Sequence, residues 1–416
     1  MRILIHDFAG YSFPVQLSRE LTARGHRVLH LSAEGLPGPK GKVQAEAGDG
    51  PGLAVRRVRL SHHFRKYSPW RRLVTQRQYA RDLEAILEQE KPDVVLSGDT
   101  PIDVQAHLLR SCHRRGIGFA HWVQDDYSAA LEFLLRRRIG VAAGLAVSPF
   151  RWLDGWVARN SDAVVSISPD FVPRLRRMGA RSESLTVIEN WAPLDEVPLR
   201  PRRNAWSESL GLDGKPVFVY AGSMGLKHRP DLIYMLTKAL AGQARVVVVS
   251  EGVGRQHLAS QPELPNLTLL DFQPYEKLPE ILATADVLLA TLEVDAGAFA
   301  VPSKVLTYLC AGRPVLLTAP PQNLAAETVQ RSGGGIVVGP DDSNGWIEAA
   351  RKLADDAELR TSLGARARQY AEAAFDIEKI ADRFEAVLTQ AAERRLYKSP
   401  GALRHGATPA VTSRER

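Results

Sequence analysis

The sequence predicts an α/β protein built from two parallel-sheet domains in tandem. Three observations carry this reading. The chain has 416 residues, more than one hydrophobic core usually organises. Short β-rich runs alternate with longer helical patterns, the order that parallel strands need for their crossovers. The alternation stops at a stretch rich in Pro and Arg, residues 190–203 with Pro193, Pro198 and Pro201, and then begins again.

In the first half the expected strands are 2–6, 27–31, 54–59, 93–97, 118–122 and 163–167. Residues 14–24 and 73–89 carry apolar side chains at helical spacing between them. In the second half the expected strands are 216–221, 244–250, 267–271, 287–291, 314–318 and 335–338, with helices over 230–241, 277–283, 304–310 and 343–354. Two Rossmann-like halves in succession place a ligand cleft between them, at the carboxyl ends of the strands. After Phe375, Ile377, Ile380, Ala381, Phe384, Val387 and Leu388 mark one more amphipathic helix. The expected organisation is an N-terminal domain over 1–195, a C-terminal domain over 196–375 and a helix over 376–396. A tail over 397–416, without periodic apolar residues, is expected to be disordered.

Composition narrows the class. With 44% hydrophobic and 24% charged residues the chain reads as an ordinary soluble protein. Its two cysteines, Cys112 and Cys310, lack metal-ligand spacing, so a reducing cytoplasm is expected and neither a disulfide framework nor a metal. Asp7 interrupts the first apolar run too early for a signal peptide. No run reaches the ~18 uncharged apolar residues of a membrane span. The net charge of +7 lies in the first half: residues 1–200 hold 29 Lys and Arg against 22 Asp and Glu, and residues 201–416 hold 25 of each. Such a patch suits an anionic membrane surface or a phosphorylated substrate, or is simply solvated. A nucleic-acid partner would rest only on the pI of about 9.4, with no motif behind it.

Two segments carry chemistry. In VPSKVLTYLCAGRPVLL, residues 301–317, Pro302 and Ser303 are helix-start residues, Gly312 is a stop and Pro314 follows it. Free N–H groups at such a start suit a diphosphate, and Lys304 adds a full charge. Thr307 lies one turn along on the same face. The plainer alternative is a capped helix with a solvent-facing lysine. In VFVYAGSMGLKHRPDLI, residues 217–233, a strand enters a loop where Gly222 and Gly225 admit close approach and Lys227 is placed to pair a phosphate, with His228 and Arg229 beside it. The plainer alternative here is a turn.

Together these segments resemble the family 4 glycosyltransferases of the GT-B architecture, more narrowly the bacterial surface-polysaccharide transferases with a YSGTLGLKH-type loop and a PSK-type helix start. VIENWAPLDE, residues 187–196, and ISPDFVPRLRRMGA, residues 167–180, are similar to the family's interdomain segments. The resemblance spans residues 1–390. It implies two Rossmann-like domains facing across a cleft, with the C-terminal helix crossing back to the N-terminal domain. It also implies a nucleotide-sugar donor on the C-terminal half, a glycan or lipid-linked acceptor on the N-terminal half, retention at the anomeric carbon, and no metal or other cofactor.

Residue by residue, the resemblance puts the leaving diphosphate on Lys227 and Lys304, with Gly222, Ser223, Pro302 and Ser303 around it. Ser223 stands where the family has a loop arginine. SEGVGRQHL, residues 250–258, resembles the turn beside the nucleotide and puts Glu251 with the donor. The family's two glutamates fall on Phe299 and Thr307, so Thr307 is the expected ribose partner, and Asp295 or Glu293 the expected replacement for the sugar-binding acid. On the acceptor side the first glycine loop falls on Gly10 and Tyr11. AHWVQDDY, residues 120–127, offers His121 and Asp125 toward the cleft as candidate catalytic groups, or else a structural histidine and a helix cap. Arg65, Lys66, Trp70, Arg71 and Arg72, with the stretch 133–157 that holds Arg136–Arg138, Trp152 and Trp156, are expected at a peripheral membrane interface at the inner face of the cell membrane, or else these tryptophans and leucines are core. A nucleotide-sugar 2-epimerase or a non-catalytic nucleotide-sugar-binding subunit are the competing readings.

Overall fold

The computed structural model describes residues 1–36, 41–60, 69–125, 127–225, 228–293 and 303–398. The N-terminal half carries strands β1 (Arg2–Asp7), β2 (Arg27–Glu34), β3 (Leu53–Arg59), β4 (Val94–Gly98), β5 (Gly118–Val123), β6 (Ala163–Ser166) and β7 (Leu185–Val187). The C-terminal half carries β8 (Val217–Ala221), β9 (Arg245–Val249), β10 (Leu267–Leu270), β11 (Val287–Thr291), β12 (Val315–Thr318) and β13 (Gly335–Val338). Each expected strand is present within a few residues of its expected ends. β7 was not expected: it is a three-residue edge strand, and its half-buried side chains carry little pattern.

Both sheets are wholly parallel, in the orders β3-β2-β1-β4-β5-β6-β7 and β10-β9-β8-β11-β12-β13. Numbered within each half, the second order repeats the first: third, second, first, fourth, fifth, sixth. The order in which strands are laid down reverses between β1 and β4, and again between β8 and β11. Crevices at the carboxyl ends of strands open at such switch points. Helices cover both faces, so the strands read as continuous apolar runs, for example RVVVV in β9, where all four valines are buried.

The last helix, Ile377–Lys398, leaves the C-terminal half and packs on β5. Phe384 sits edge-on to Trp122 of β5 with ring centroids 4.9 Å apart, and Trp122 stacks on Trp191 at 6.0 Å. Arg24 pairs with Asp382 at 2.6 Å and Glu385 at 3.0 Å, and His26 meets Glu385 at 2.9 Å. Gly118 is required where this helix crosses: a Cβ there would lie 2.7 Å from the Ala391 carbonyl oxygen. The helix runs to Lys398, and residues 399–416 of the expected tail lie outside the described residues.

Candidate active site

The helix Lys304–Cys310 begins and ends where its sequence expected. Gly312, with φ +64°, supplies the left-handed turn after it. Ser303 stands just before the helix, as expected of a helix-start residue. Its backbone is helical, φ −56° and ψ −26°, so its hydroxyl makes no capping hydrogen bond. Lys304 and Tyr308, one turn apart on the same face, both reach the end of β8. The Tyr308 hydroxyl accepts from the Ala221 N–H at 2.9 Å and donates to the Ala221 carbonyl at 2.8 Å. Lys304 Nζ donates to the Tyr220 hydroxyl, lies 3.8 Å from that ring's centroid, and reaches the Ser223 carbonyl at 3.4 Å.

The ammonium therefore stands over the turn that follows β8. Gly222 makes room for it: φ is +128°, and a Cβ there would be 3.3 Å from both Cε and Nζ of Lys304. The loop is then closed from its far side. The Gly225 N–H donates to His228 Nδ1 at 2.9 Å, the Met224 N–H to the Glu251 carbonyl at 2.9 Å, and the Gly254 N–H to the Met224 carbonyl at 2.8 Å. Gly252 and Gly254 are needed for that closeness, since Cβ atoms there would lie 2.7 and 2.6 Å from atoms of Met224. Gly222, Ser223, Glu251 and Lys304 thus meet at the loop after β8, while Thr307, one turn along the Lys304 helix, is partly buried and the Glu251 and Ser303 side chains are exposed. Arg229, one helper weighed for the phosphate charge, is bound instead to Asp231 at 2.8 Å and to the Pro340 carbonyl at 3.0 Å. Lys227, Asp295 and Pro302 lie outside the described residues.

The first sheet's switch point holds a different chemistry. Gly10, φ +73°, turns the β1 loop, and the Tyr11 N–H donates to Asp7 Oδ2 at 2.6 Å. Asp99, just past β4, holds φ +50°, a strained backbone for a non-glycine residue. Burial, then the nearby Asp7 and Asp125, raises its carboxyl well above the ordinary carboxylate range. Tyr11 lies within electrostatic reach of all three acids. His121 on β5 is lowered to about 4 by burial, so it is neutral at pH 7, and its Nδ1 is enclosed without a hydrogen-bond partner. Sequence reading named Asp125 and His121 but missed Asp7 and Asp99. The signal was there, because the runs IHD, SGD and VQD each set an acid at or just past a strand's carboxyl end. Among the described residues no group of three or more His, Cys, Asp and Glu is arranged to hold a metal ion.

Comparison with known proteins gives this two-site arrangement its family. Residues 14–191 match the glycosyl transferase 4-like domain, and residues 215–356 match the glycosyl transferases group 1 domain. The chain belongs to the family 4 glycosyltransferases. Within the family's reach, the putative colanic acid biosynthesis glycosyl transferase WcaI of Escherichia coli K12 is 24% identical over 233 residues, 54% of this chain and 56% of that protein. The chain thus matches little more than half the length of that relative. Among solved structures, sucrose-phosphate synthase from Thermosynechococcus elongatus superposes with a TM-score of 0.71 at 17% identity, covering 94% of this chain and 98% of that one. Anabaena HepE in complex with UDP-glucose superposes with a TM-score of 0.64 at 14% identity, covering 94% and 99%. These likenesses are of fold, and the fold is the GT-B arrangement of the family.

The expected membrane-facing residues divide. Val141, Leu145 and Trp152 are 97%, 81% and 59% exposed. Trp156 is half-buried rather than exposed. It packs on the core of the N-terminal half, with the Arg110 guanidinium 4.4 Å from its ring centroid. Arg136 and Arg151 both pair with Glu132. Residues 65 and 66, and the side chains of Trp70, Arg71, Arg72, Arg137 and Arg138, lie outside the described residues. No helix of the described residues is long and apolar enough to cross a membrane.

Proposed function

We propose that the chain transfers a glycosyl group from a nucleoside-diphosphate sugar on its C-terminal half to a glycan or lipid-linked acceptor on its N-terminal half, in the building of a surface polysaccharide. The observation that carries this is Lys304 Nζ held over the Gly222–Ser223 turn at the β8–β11 switch point. A fixed cation there stabilises the charge that grows on a departing diphosphate, and needs no rearrangement at the moment of reaction. Lys227, from the same loop's sequence, is the second cation of this reading. The reaction proceeds with retention and without a metal, as in the family the chain belongs to.

The exposed Val141, Leu145 and Trp152 support peripheral attachment to an anionic membrane from the cytoplasm, which would bring a lipid-linked acceptor to the N-terminal half. The test of the donor reading is binding and turnover of a panel of UDP-, GDP- and ADP-sugars by the wild type, Lys304→Ala and Lys227→Ala. Saturable binding of one donor, weakened in both variants, is the expected result. Unchanged binding in both variants would overturn the assignment. Failure of the wild type to sediment with anionic vesicles at low salt would overturn the membrane part alone.

A further inference from the structure

Glu196 is buried although it lies in the proline-rich linker between the halves. A buried carboxylate must be met by donors, and separate segments supply them here. The Tyr275 hydroxyl donates to Oε2 at 2.6 Å, and the Ser12 hydroxyl and the Lys42 backbone N–H bond the same carboxyl group. Gly41, φ +71°, lets the chain fold this close: a Cβ there would lie 2.6 Å from Glu196 Oε2 and 2.8 Å from the Ser12 Cβ. Ser12 and Lys42 belong to the N-terminal half and Tyr275 to the C-terminal half. The linker is itself held to the first helix, Ser12–Ala23, where Gln16 accepts from Trp191 Nε1 at 2.8 Å and donates to Asp195 at 3.1 Å. One carboxylate therefore bridges the two halves. A cavity of about 520 Å³ beside it separates the loop 41–46 from the turn 275–279, so the bridge spans open space rather than a packed interface.

Each end of the bridge leads into the cleft. On the C-terminal half, Tyr275 ends the loop that leaves β10. Asp271, at the start of that loop, pairs with Arg255 at 2.9 Å, and the Ser250 N–H donates to the Leu270 carbonyl at 3.0 Å. Residues 250–255 form the turn that closes on Met224, next to the Ser223 carbonyl that Lys304 reaches. On the N-terminal half, Ser12 directly follows Gly10 and Tyr11, and the Tyr11 N–H is fixed to Asp7 at 2.6 Å. A carboxylate suits a contact that must open as well as close. Paired, it accepts charge-assisted hydrogen bonds; parted, it regains water, and the two arrangements differ little in free energy. A nucleotide that orders the 250–255 turn biases the bridge toward pairing, and linkage makes the effect mutual. We propose that Glu196 is a positioning residue that couples the two sides of the cleft: seating a nucleotide on the C-terminal half draws Tyr275 onto the carboxylate and fixes the Gly10–Ser12 loop on the N-terminal half. The proposal rests on the donor reading of the C-terminal half.

The test is hydrogen-exchange mass spectrometry of the full chain with and without saturating UDP, GDP or ADP. Binding is read from slowed exchange in residues 220–225 and 250–255, and coupling from slowed exchange in residues 8–17. The wild type is expected to show both with one of the nucleotides, the coupling amounting to at least about fivefold in exchange rate. Tyr275→Phe cuts one end of the bridge and Ser12→Ala the other. Each is expected to keep the protection at 220–225 and to lose it at 8–17, and the double variant to lose no more than either, since both cut one bridge. Glu196→Gln, which keeps an oxygen for the Tyr275 hydroxyl, is expected to retain the coupling, and Glu196→Ala to lose it. Arg331→Met cuts a different tie, to Glu189 of the linker at 2.6 Å, and is expected to retain the coupling in full. Should Tyr275→Phe not fold, Ser12→Ala gives the same reading. Protection at 220–225 without protection at 8–17 overturns the positioning role and leaves the donor reading standing. Coupling that survives both single variants, or that Arg331→Met loses equally, does the same. No protection at 220–225 with any nucleotide sinks the donor reading and the coupling with it.

Discussion

The Tyr275 hydroxyl donates a 2.6 Å hydrogen bond to Glu196 Oε2, joining the C-terminal half to the linker between the halves. Ser12, at the start of the first helix, also bonds that carboxyl group. Burial raises the Glu196 carboxyl above its ordinary range, against the lowering effect of the two hydroxyls. A raised carboxyl contributes stability that is full below its unfolded value and lost as pH rises through its folded value. Glu196→Gln keeps the acceptor and removes that charge, so it is expected to be neutral or mildly stabilising at pH 7. Tyr275→Phe takes one donor from the carboxyl and leaves Ser12, and is expected to cost about 1 kcal/mol in urea unfolding.

Lys304 sits in a slot shaped by the Tyr220 ring and the bare Cα of Gly222. Lys304→Ala is expected to lower kcat/KM for the donor by on the order of 10²-fold, the scale of one lost transition-state contact. Lys304→Arg is expected to fail as a rescue, because a planar fork does not fit where a point charge does. Steady-state kinetics on the donor found in the panel decides this, and a fully active arginine variant would count against the slot.

Gly118→Ala brings a Cβ to 2.7 Å from the Ala391 carbonyl oxygen and 2.8 Å from the Ala392 Cα, both backbone atoms. The helix Ile377–Lys398 must then lift from β5. A loss of about 1–3 kcal/mol is expected by thermal or urea unfolding. Faster proteolysis within that helix should accompany it.

His6 and His30 are buried and His121 is partly so, and desolvation first of all lowers them to about 3, 3 and 4. Their folded values lie below the unfolded value of about 6.5. The stability they allow is therefore full above pH 6.5 and lost as pH falls toward 4. Inside that window each contributes about 1.4 kcal/mol per pH unit, because the unfolded chain takes up a proton the folded chain refuses. His30, hydrogen-bonded to Ser18 at 2.9 Å, gives the cleanest test. His30→Asn is expected to shrink the slope between pH 6.5 and 5 by about a third, and an unchanged slope would contradict the assignment.

What the sequence made legible, and what it did not, follows from where the information is local. Strands such as RVVVV are buried on both faces, so each announces itself without reference to a partner. The helix Lys304–Cys310 was legible to the residue because Gly312 and Pro314 stop it locally. The meeting of Asp7, Asp99 and Asp125 was not, because Asp7 is about a hundred residues from the other two and only the strand order makes them neighbours. Trp156 was left between lipid and core for a related reason: an aromatic beside arginines reads the same whether it faces lipid or lies under Arg110.

The return of the last helix to β5 also sets the order in which the protein is made whole. Phe384 completes an aromatic cluster with Phe13, Trp122 and Trp191, all of them translated far earlier. During synthesis the first half emerges with that apolar seat uncovered and waits for nearly the whole remaining chain. A ribosome stalled in the second half would hold a first domain exposing tryptophan, a surface that chaperones bind and that other nascent chains stick to.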